Sequence, residues 1–516
     1  MWNANDIINK TKIDLKDNGI FKPLSGKVPF EYQKVASTLM LLRPRMVLGD
    51  DVGLGKTLEM ILSMSYMKFK NPETKFLVFT EISALHQWQK ELRDLTPSLT
   101  SIIITAETHR DITNRVAVMR NHNSDVVIST YSMLYKHCED LKKGLQPRWV
   151  FIADEPDIFK SITCIAHKKA FALVNNEGGP CRAYGLTATL VGNRLSEAYG
   201  IFRVIMPSLM PNYRVFENMF CVKYRNRIRG YKNLDSFKSI VSDHFFGRLQ
   251  DDPKVEQELP EVITKDIPVV CSVDQSWKIV EAFERLIETV EGSVKRLLPL
   301  PSITYAKLMT NDPRLKGFPE QGAKVKALQD LVTGTLKGKR VIIFCFFKMM
   351  ILNLKEDFKK IGIDSLKITG DENILQKKRV VERFMSDGDD HVPILFMNKA
   401  GSKALNLQSA GHVVFFDLPW GYDLYRQVIG RVKRTGSLHS KIGVFRFLAE
   451  LHPEVEKEFK SKRTMDHFTL DIILRKFELW KSLTGDNKTM DSGEGDIEEI
   501  FNDIISSYKR EVQNEF

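Results

Sequence analysis

LGDDVGLGKTLEM, from Leu48 to Met60, decides how this chain is to be read. The apolar run MVL leads into it, and LEMILSMSYMKF follows with helical spacing. Strand, glycine loop and helix therefore succeed one another. Gly53 and Gly55 let backbone N–H groups turn toward phosphate oxygens, and the helix N-terminus adds its positive end. Lys56 stands where it reaches the β and γ phosphates, and Thr57 where its hydroxyl ligates magnesium. Only the start is unusual. Where such a loop usually begins with glycine, this one has Asp50.

A magnesium nucleotide needs a second carboxylate on the metal side. The run WVFIADE (149–155) supplies one at the end of a strand. Asp154 is placed to hold magnesium and Glu155 to position and polarise an attacking water. Open α/β sheets bind their ligands at this edge.

Further strands are expected at FLVFT (76–80), SIIIT (101–105), DVVIST (125–130) and AYGLTAT (183–189), with ALHQWQKEL helical between the first two. Strand-helix alternation predicts a parallel sheet covered on both faces. The pattern breaks near Pro207. From there to about Lys324 the text is charged and helix-like, as in SWKIVEAFERLIETVEGSVKRLL (276–298), and KYRNRIRGYK (223–232) reads either as a basic surface with stacking residues or as a solvated helix face. Alternation resumes with RVIIFCFF (340–347), SLKITGD (365–371), VPILFMN (392–398) and HVVFFDLPW (412–420), a second α/β domain. From about Leu451 helices are expected, then a flexible joint at 485–495 and the acidic DSGEGDIEEIF.

Composition sets the limits. The 516 residues suit about three domains. Lys plus Arg is 76 against 65 Asp plus Glu, a net charge of +11 that suits a polyanion partner. The cysteines, Cys138, Cys164, Cys181, Cys221, Cys271 and Cys345, contain no Cys-x-x-Cys pair and read as small buried hydrophobes in a reducing compartment. The Cys164–His167 spacing resembles a metal pair but has no further ligands beside it, and a structural role is expected for both residues. No apolar run approaches the roughly 20 residues of a membrane span, and the N-terminus has no apolar signal core, so a cytoplasmic or nuclear protein is expected (host cytoplasm if viral), with no membrane partner.

The chain resembles the Swi/Snf-type ATPases of helicase superfamily 2. Their opening loop is close to Ala-Asp-Glu-Met-Gly-Leu-Gly-Lys-Thr, so an aspartate at position 50 is the family habit. PFEYQ (29–33), FTEISALHQWQKEL (79–92), STYSML (129–134), GLTATLVGN (185–193), EAYGIFRVIMPSLMPNYRVFENMF (197–220) and, further on, ITGDENILQKKRVVERF, ILFMNKAGSKALNLQSAGHVVFFDLPW and QVIGRVKRTGS (427–437) resemble family segments in family order. The resemblance implies two RecA-like lobes with parallel sheets and a mostly helical insertion between them. The expected divisions are an N-terminal extension (1–27), lobe 1 (28–206), insertion and linker (207–323), lobe 2 (324–450) and a helical C-terminal tail (451–516).

It also implies ATP and Mg2+ as cofactors. Gln33 would read adenine, Asp50 would belong to the nucleotide-binding loop, and Gln427, Arg431 and Arg434 would act at the γ-phosphate from the second lobe. Spacing puts these last three on one helical face. Thr80, Thr130, Thr369 and Lys399 would grip a nucleic-acid backbone. Some segments depart from the family. Asp-Glu-Ala-His becomes Asp-Glu-Pro-Asp at 154–157, Gly-Gly-x-Gly-x-Asn-Leu becomes GSKALNL at 401–407 with Ser402 and Ala404 stiffening the loop, and the Arg-Arg helix end is not evident near Arg248. These departures mark a divergent branch.

The leading function is an ATPase that translocates on double-stranded DNA and remodels or displaces bound proteins, RNA polymerase among the compatible targets. From the short terminal regions, no dedicated polymerase-binding domain is expected. Strand separation on DNA or RNA is the alternative enzyme, and a nucleotide-gated scaffold with little turnover is the non-enzymatic one.

Overall fold

A computed structural model describes residues 15, 19–105, 117, 123–139, 141, 149–175, 177–191, 194–224, 227–250, 252–256, 259–292, 300–387, 391–399, 401, 407–434 and 437–484. The chain divides into two compact units, which part between Gln257 and Glu258.

In the first unit, continuous apolar runs form the strands β1 (Arg45–Leu48), β2 (Lys75–Thr80), β3 (Ser101–Ile104), β4 (Val126–Thr130), β5 (Trp149–Asp154) and β6 (Arg182–Leu186). A hairpin follows, β7 (Cys221–Tyr224) and β8 (Arg227–Tyr231), and then the short β9 (Phe245–Phe246). The sheet order is β3-β4-β2-β5-β6-β1-β9, parallel throughout. Strands that are apolar at every position need cover on both faces. Helices α1 (Glu31–Leu42), α2 (Lys56–Lys70) and α3 (Leu85–Leu95) cover one of them. Met40, Ile61, Met64, Trp88 and Leu92 pack there against Phe76, Val78, Ile152 and Tyr184. Helix α2 carries Glu59 in its first turn and Lys68 and Lys70 in its last, which suits its dipole.

The second unit has its own parallel sheet, β10 (Glu261–Val270), β11 (Val341–Phe344), β12 (Leu366–Ile368), β13 (Ile394–Met397), β14 (His412–Phe415) and β15 (Lys441–Glu450), in the order β10-β15-β14-β11-β13-β12. The two-sheet α/β architecture anticipated from alternation is thus present. Exposed Lys265 and Asp266 and the nearby Pro268 blunt the edge strand β10 against further pairing.

Residues 207–323 do not form one helical body. The part up to Gln257 belongs to the first unit and the rest to the second, and both sheets take a strand from it, β9 and β10. KYRNRIRGYK is mostly the β7–β8 hairpin, so of its two readings the helix face does not hold. Of the cysteines, Cys138, Cys221, Cys271 and Cys345 are buried, but Cys181 is exposed. Cys164 caps a helix, its sulfur accepting from His167 N at 3.3 Å. Among the described residues no helix is long and apolar enough to cross a membrane. The joint at 485–495, the acidic stretch after it, and Ser402 and Ala404 lie outside the described residues.

A buried polar network organises the second unit. Lys324 donates to Asp466 Oδ2 (2.5 Å), Asn311 Oδ1 (3.0 Å) and Phe416 O (3.1 Å), and Asn311 donates to Asp417 Oδ2 (2.8 Å). Lys307 lies over the rings of Trp420 and Phe346 and donates to Leu418 O, and burial lowers its pKa to about 8. These contacts pin helices 300–311, 323–333 and 465–484 to the end of β14. Lys324→Met leaves Asp466 buried without its cation, and such a loss costs about 3–5 kcal/mol. Urea unfolding of Lys324→Met is therefore expected to show a large loss of stability. A midpoint like that of the wild type would show that the ion pair does not hold this unit together.

Candidate nucleotide site

Strand register brings the site together. Leu48 of β1 and Asp154 of β5 both pair with Leu186 of β6, so three strands end level with one another. The loop after β1, the acids after β5 and the threonines after β6 therefore share one carboxyl edge, where parallel sheets bind ligands.

In the loop, Gly53 (φ 85°) and Gly55 (φ 95°) both take the left-handed conformation that L side chains resist. Gly55 also touches its surroundings closely, since a Cβ there would lie 2.5 Å from Gln33 Nε2. Gln33 itself is buried. It donates to Leu54 O (2.8 Å) and accepts from Phe30 N (3.1 Å), so its amide braces the loop from below. Lys56 Nζ donates to Asp50 O (2.9 Å) and stands 3.9 Å from Glu155 Oε1. Thr57 is half-buried on the first turn of α2.

Asp50, expected as part of the nucleotide-binding set, has a fully buried carboxylate engaged by Arg248, whose Nε lies 3.1 Å from both of its oxygens. Its side chain is an anchor for the loop.

Asp154 and Glu155 differ in their surroundings. Thr80 Oγ1 (2.9 Å) and Trp88 Nε1 (2.8 Å) both donate to Asp154 Oδ2, and Tyr131 OH donates to its carbonyl (2.8 Å). Burial raises the Asp154 pKa, and the Trp88 and Thr80 bonds oppose the rise. Glu155 has φ 48°, an uncommon conformation for a non-glycine residue, which aims its side chain toward Lys56 and Thr187. Its Oε2 accepts from Thr187 Oγ1 at 3.2 Å. Burial raises its pKa too, and Lys56 opposes this. Asp157, which stands where the family has histidine, pairs with Lys160 at 2.8 Å, and Lys160 also donates to Thr189 Oγ1 (3.2 Å).

The donors suit the expected cofactors. A turn of N–H groups at a helix N-terminus, with a lysine beside it, fits a phosphate chain. A hydroxyl from Thr57 and Asp154 Oδ1, the oxygen that Thr80 and Trp88 do not hold, are hard ligands that suit magnesium.

In the second unit, Gln427 lies on helix Tyr422–Ile429, but that helix ends at a Gly430 cap. Arg431 and Arg434 follow in the turn beyond it, so the three residues do not share a helical face. Arg431 is buried, and Arg434 is half-buried with its Nε donating to Gly430 O (2.8 Å).

Of the four residues expected to grip nucleic acid, only Lys399 is exposed. Thr80 is buried and bonded to Asp154, Thr130 is buried with its hydroxyl 2.9 Å from Ser132 Oγ, and Thr369 is buried and donates to Glu372 Oε2 (2.9 Å). Their side chains serve the protein interior.

Sequence reasoning did not single out Trp88, Tyr131, Thr187 or Arg248. Trp88, Tyr131 and Thr187 each lie inside a segment noted for its resemblance, which could have flagged them, but nothing local shows which partner their polar atoms meet. Arg248 lies outside every such segment.

The family described as SNF2-related domain matches residues 32–280, and the helicase conserved C-terminal domain matches 323–436. Among relatives, an uncharacterised ATP-dependent helicase of Mycoplasma genitalium is 26% identical over 416 residues, which are 78% of this chain and 38% of that protein. Chicken chromodomain-helicase-DNA-binding protein 1 is 24% identical, over 82% of this chain and 25% of its own. Yeast transcription regulatory protein SNF2 is 24% identical, over 76% of this chain and 24% of its own. The chain thus spans 24–38% of the length of these relatives. The solved Sulfolobus solfataricus SWI2/SNF2 ATPase core in complex with dsDNA superposes with a TM-score of 0.43 and 20% identity, covering 91% of this chain and 100% of that one.

Trp88→Phe removes one of the two side-chain donors from Asp154. A hydrogen bond to a charged group contributes about 1.5–3 kcal/mol. Nucleotide hydrolysis is expected to fall by about tenfold or more, with Thr80→Val acting in the same direction. Wild-type rates in Trp88→Phe would show that the indole does not position Asp154.

Proposed function

The chain belongs to the SNF2-related family, and from that premise we propose that it is an ATPase which moves along double-stranded DNA and displaces or remodels the proteins bound there. The observation that carries this reading is the meeting of Lys56 and Glu155, 3.9 Å apart, beside the glycine loop at the edge of the first sheet. Lys56 binds the β and γ phosphates. Glu155, its backbone held by Leu186 O and its side chain by Thr187, orients a water against the γ-phosphoryl group and accepts its proton. Thr57 and Asp154 would hold magnesium, which when bound would neutralise charge on the phosphate oxygens. Arg434, with Arg431 and Gln427, stabilises the charge that spreads over the γ-phosphoryl group in the transition state.

Duplex DNA as the track is supported by the net charge of +11 and by the likeness to a chromodomain-helicase-DNA-binding protein. Exposed Lys399 remains a candidate phosphate contact. The backbones at Thr80, Thr130 and Thr369 replace their side chains as candidates. The displaced protein is one bound to DNA, with RNA polymerase as one such target.

Lys56→Ala and Glu155→Gln are expected to abolish ATP turnover and leave the fold intact. Normal turnover in either would sink the assignment. Arg434→Ala is expected to keep ATP affinity and lose hydrolysis, and equal loss of both would give that arginine another role. Steady-state ATPase assays at fixed salt, with no polymer, duplex DNA, single-stranded DNA or RNA, test the track. Stimulation mainly by duplex supports translocation. Stimulation mainly by single strands or RNA puts strand separation ahead, and no turnover with any polymer favours the nucleotide-gated scaffold.

A further inference from the structure

We infer that Arg248 is a positioning residue for the nucleotide loop. It acts through Asp50 and the backbone of residues 49–52, and it does not itself touch the nucleotide. The inference rests on the proposed nucleotide site and names a residue that the loop motif does not contain.

Arg248 lies just after β9, far along the chain from the loop. Its guanidinium is buried. Nε lies 3.1 Å from both Asp50 oxygens, Nη2 reaches Asp50 and Glu59 (2.9 Å to Oε1), and Nη1 donates to Tyr32 O. The rings of Tyr32 and Phe246 lie 4.9 and 4.8 Å from its carbon. A planar fork held by two carboxylates and a carbonyl, with two aromatic rings against it, has one place to be.

The backbone around Arg248 runs beside the loop as a strap. Val47 N donates to His244 O (2.8 Å), Gly49 N to Phe246 O (2.6 Å) and Asp51 N to Arg248 O (3.0 Å). Arg248 N returns a bond to Asp50 Oδ1 (3.0 Å), and Gln250 Nε2 donates to Val52 O (2.6 Å). Two glycines allow this approach. A Cβ on Gly49 would lie 2.3 Å from the Phe245 ring, and one on Gly247 would lie 2.8 Å from Gly49 O. The residues that the strap fixes are those on which Lys56 rests, since Lys56 Nζ donates to Asp50 O (2.9 Å) and approaches Asp51 O (3.4 Å). Arg248 therefore sets where the phosphate-binding lysine stands.

The test uses the full chain and two variants. Arg248→Lys keeps the buried charge and loses the fork. Asp50→Asn with Arg248→Met removes both charges together, so that no carboxylate at position 50 is stranded. Four quantities are read: the Kd for a fluorescent Mg·ATP analogue, the KM and the kcat for ATP, and amide hydrogen exchange across residues 46–55 against the core strand 149–154. A positioning role predicts that both variants raise Kd and KM, by about tenfold or more in the double variant, and speed exchange at 46–55 while 149–154 stays protected. Wild-type Kd and exchange in the double variant would overturn the inference. Should the double variant fail to fold, Arg248→Lys decides by the same readouts. A wild-type protein that binds the analogue and does not hydrolyse ATP would defeat the proposed function and leave this test intact. One that binds no nucleotide leaves the exchange comparison to decide.

Discussion

The guanidinium of Arg248, buried between Asp50 and Glu59, is the contact on which the shape of the first unit's ligand edge depends. Burying a cation and two acids carries a desolvation penalty that only good geometry offsets. Here the geometry is a fork on Asp50, a carbonyl from Tyr32 and two aromatic faces. Glu59 has its pKa raised well above the usual carboxylate range, first by burial and then by Asp50 nearby, with Arg248 opposing. The protein thus spends one arginine chiefly on Asp50. In return the first turn of the loop is held from outside, and its glycines can stay open toward a ligand.

The rest of the site follows from the parallel sheet. Because β1 and β5 flank β6 and end level with it, the glycine loop and the two acids lie side by side without a long connection. Each acid is then set individually. Asp154 has one oxygen tied to Thr80 and Trp88, which favours its ionised form in a buried place. Glu155 is aimed by an uncommon backbone angle and held by Thr187. Strained or buried groups of this kind cost stability and gather where function needs a fixed direction.

The second unit achieves order differently. Its buried lysines, Lys307 and Lys324, bind carbonyls and carboxylates at the ends of β14 and of the helices around it. Trp420, under Lys307, precedes helix Tyr422–Ile429, so the network also fixes where the segment bearing Gln427 and the arginines begins. The break of that helix at Gly430 puts Arg431 and Arg434 on an irregular turn. Their directions come from local bonds such as Arg434 Nε to Gly430 O and not from helical periodicity.

Local signals in the chain were enough for much of this. Runs such as FLVF, VVI, VFIA and VIIF, short and set between turn signals, read as strands covered on both faces, and the loop at 49–57 declares its phosphate chemistry because glycine spacing and a following helix are properties of neighbours in the chain. The acids after β5 were legible for the same reason. Tertiary structure alone decided what distant residues do to them. β9, β10 and β15 were not anticipated, because two of them are short or charged edge strands and the third, KIGVFRFLAE, lacks a flanking pattern. Thr80, Thr130 and Thr369 looked like surface hydroxyls, but the ends of buried strands and turns place them inside. Trp88, Thr187 and Arg248 reach the site across 66, 32 and 198 positions. No window of sequence contains both partners of such a bond, and the packing of the sheet is what brings them within 3.2 Å.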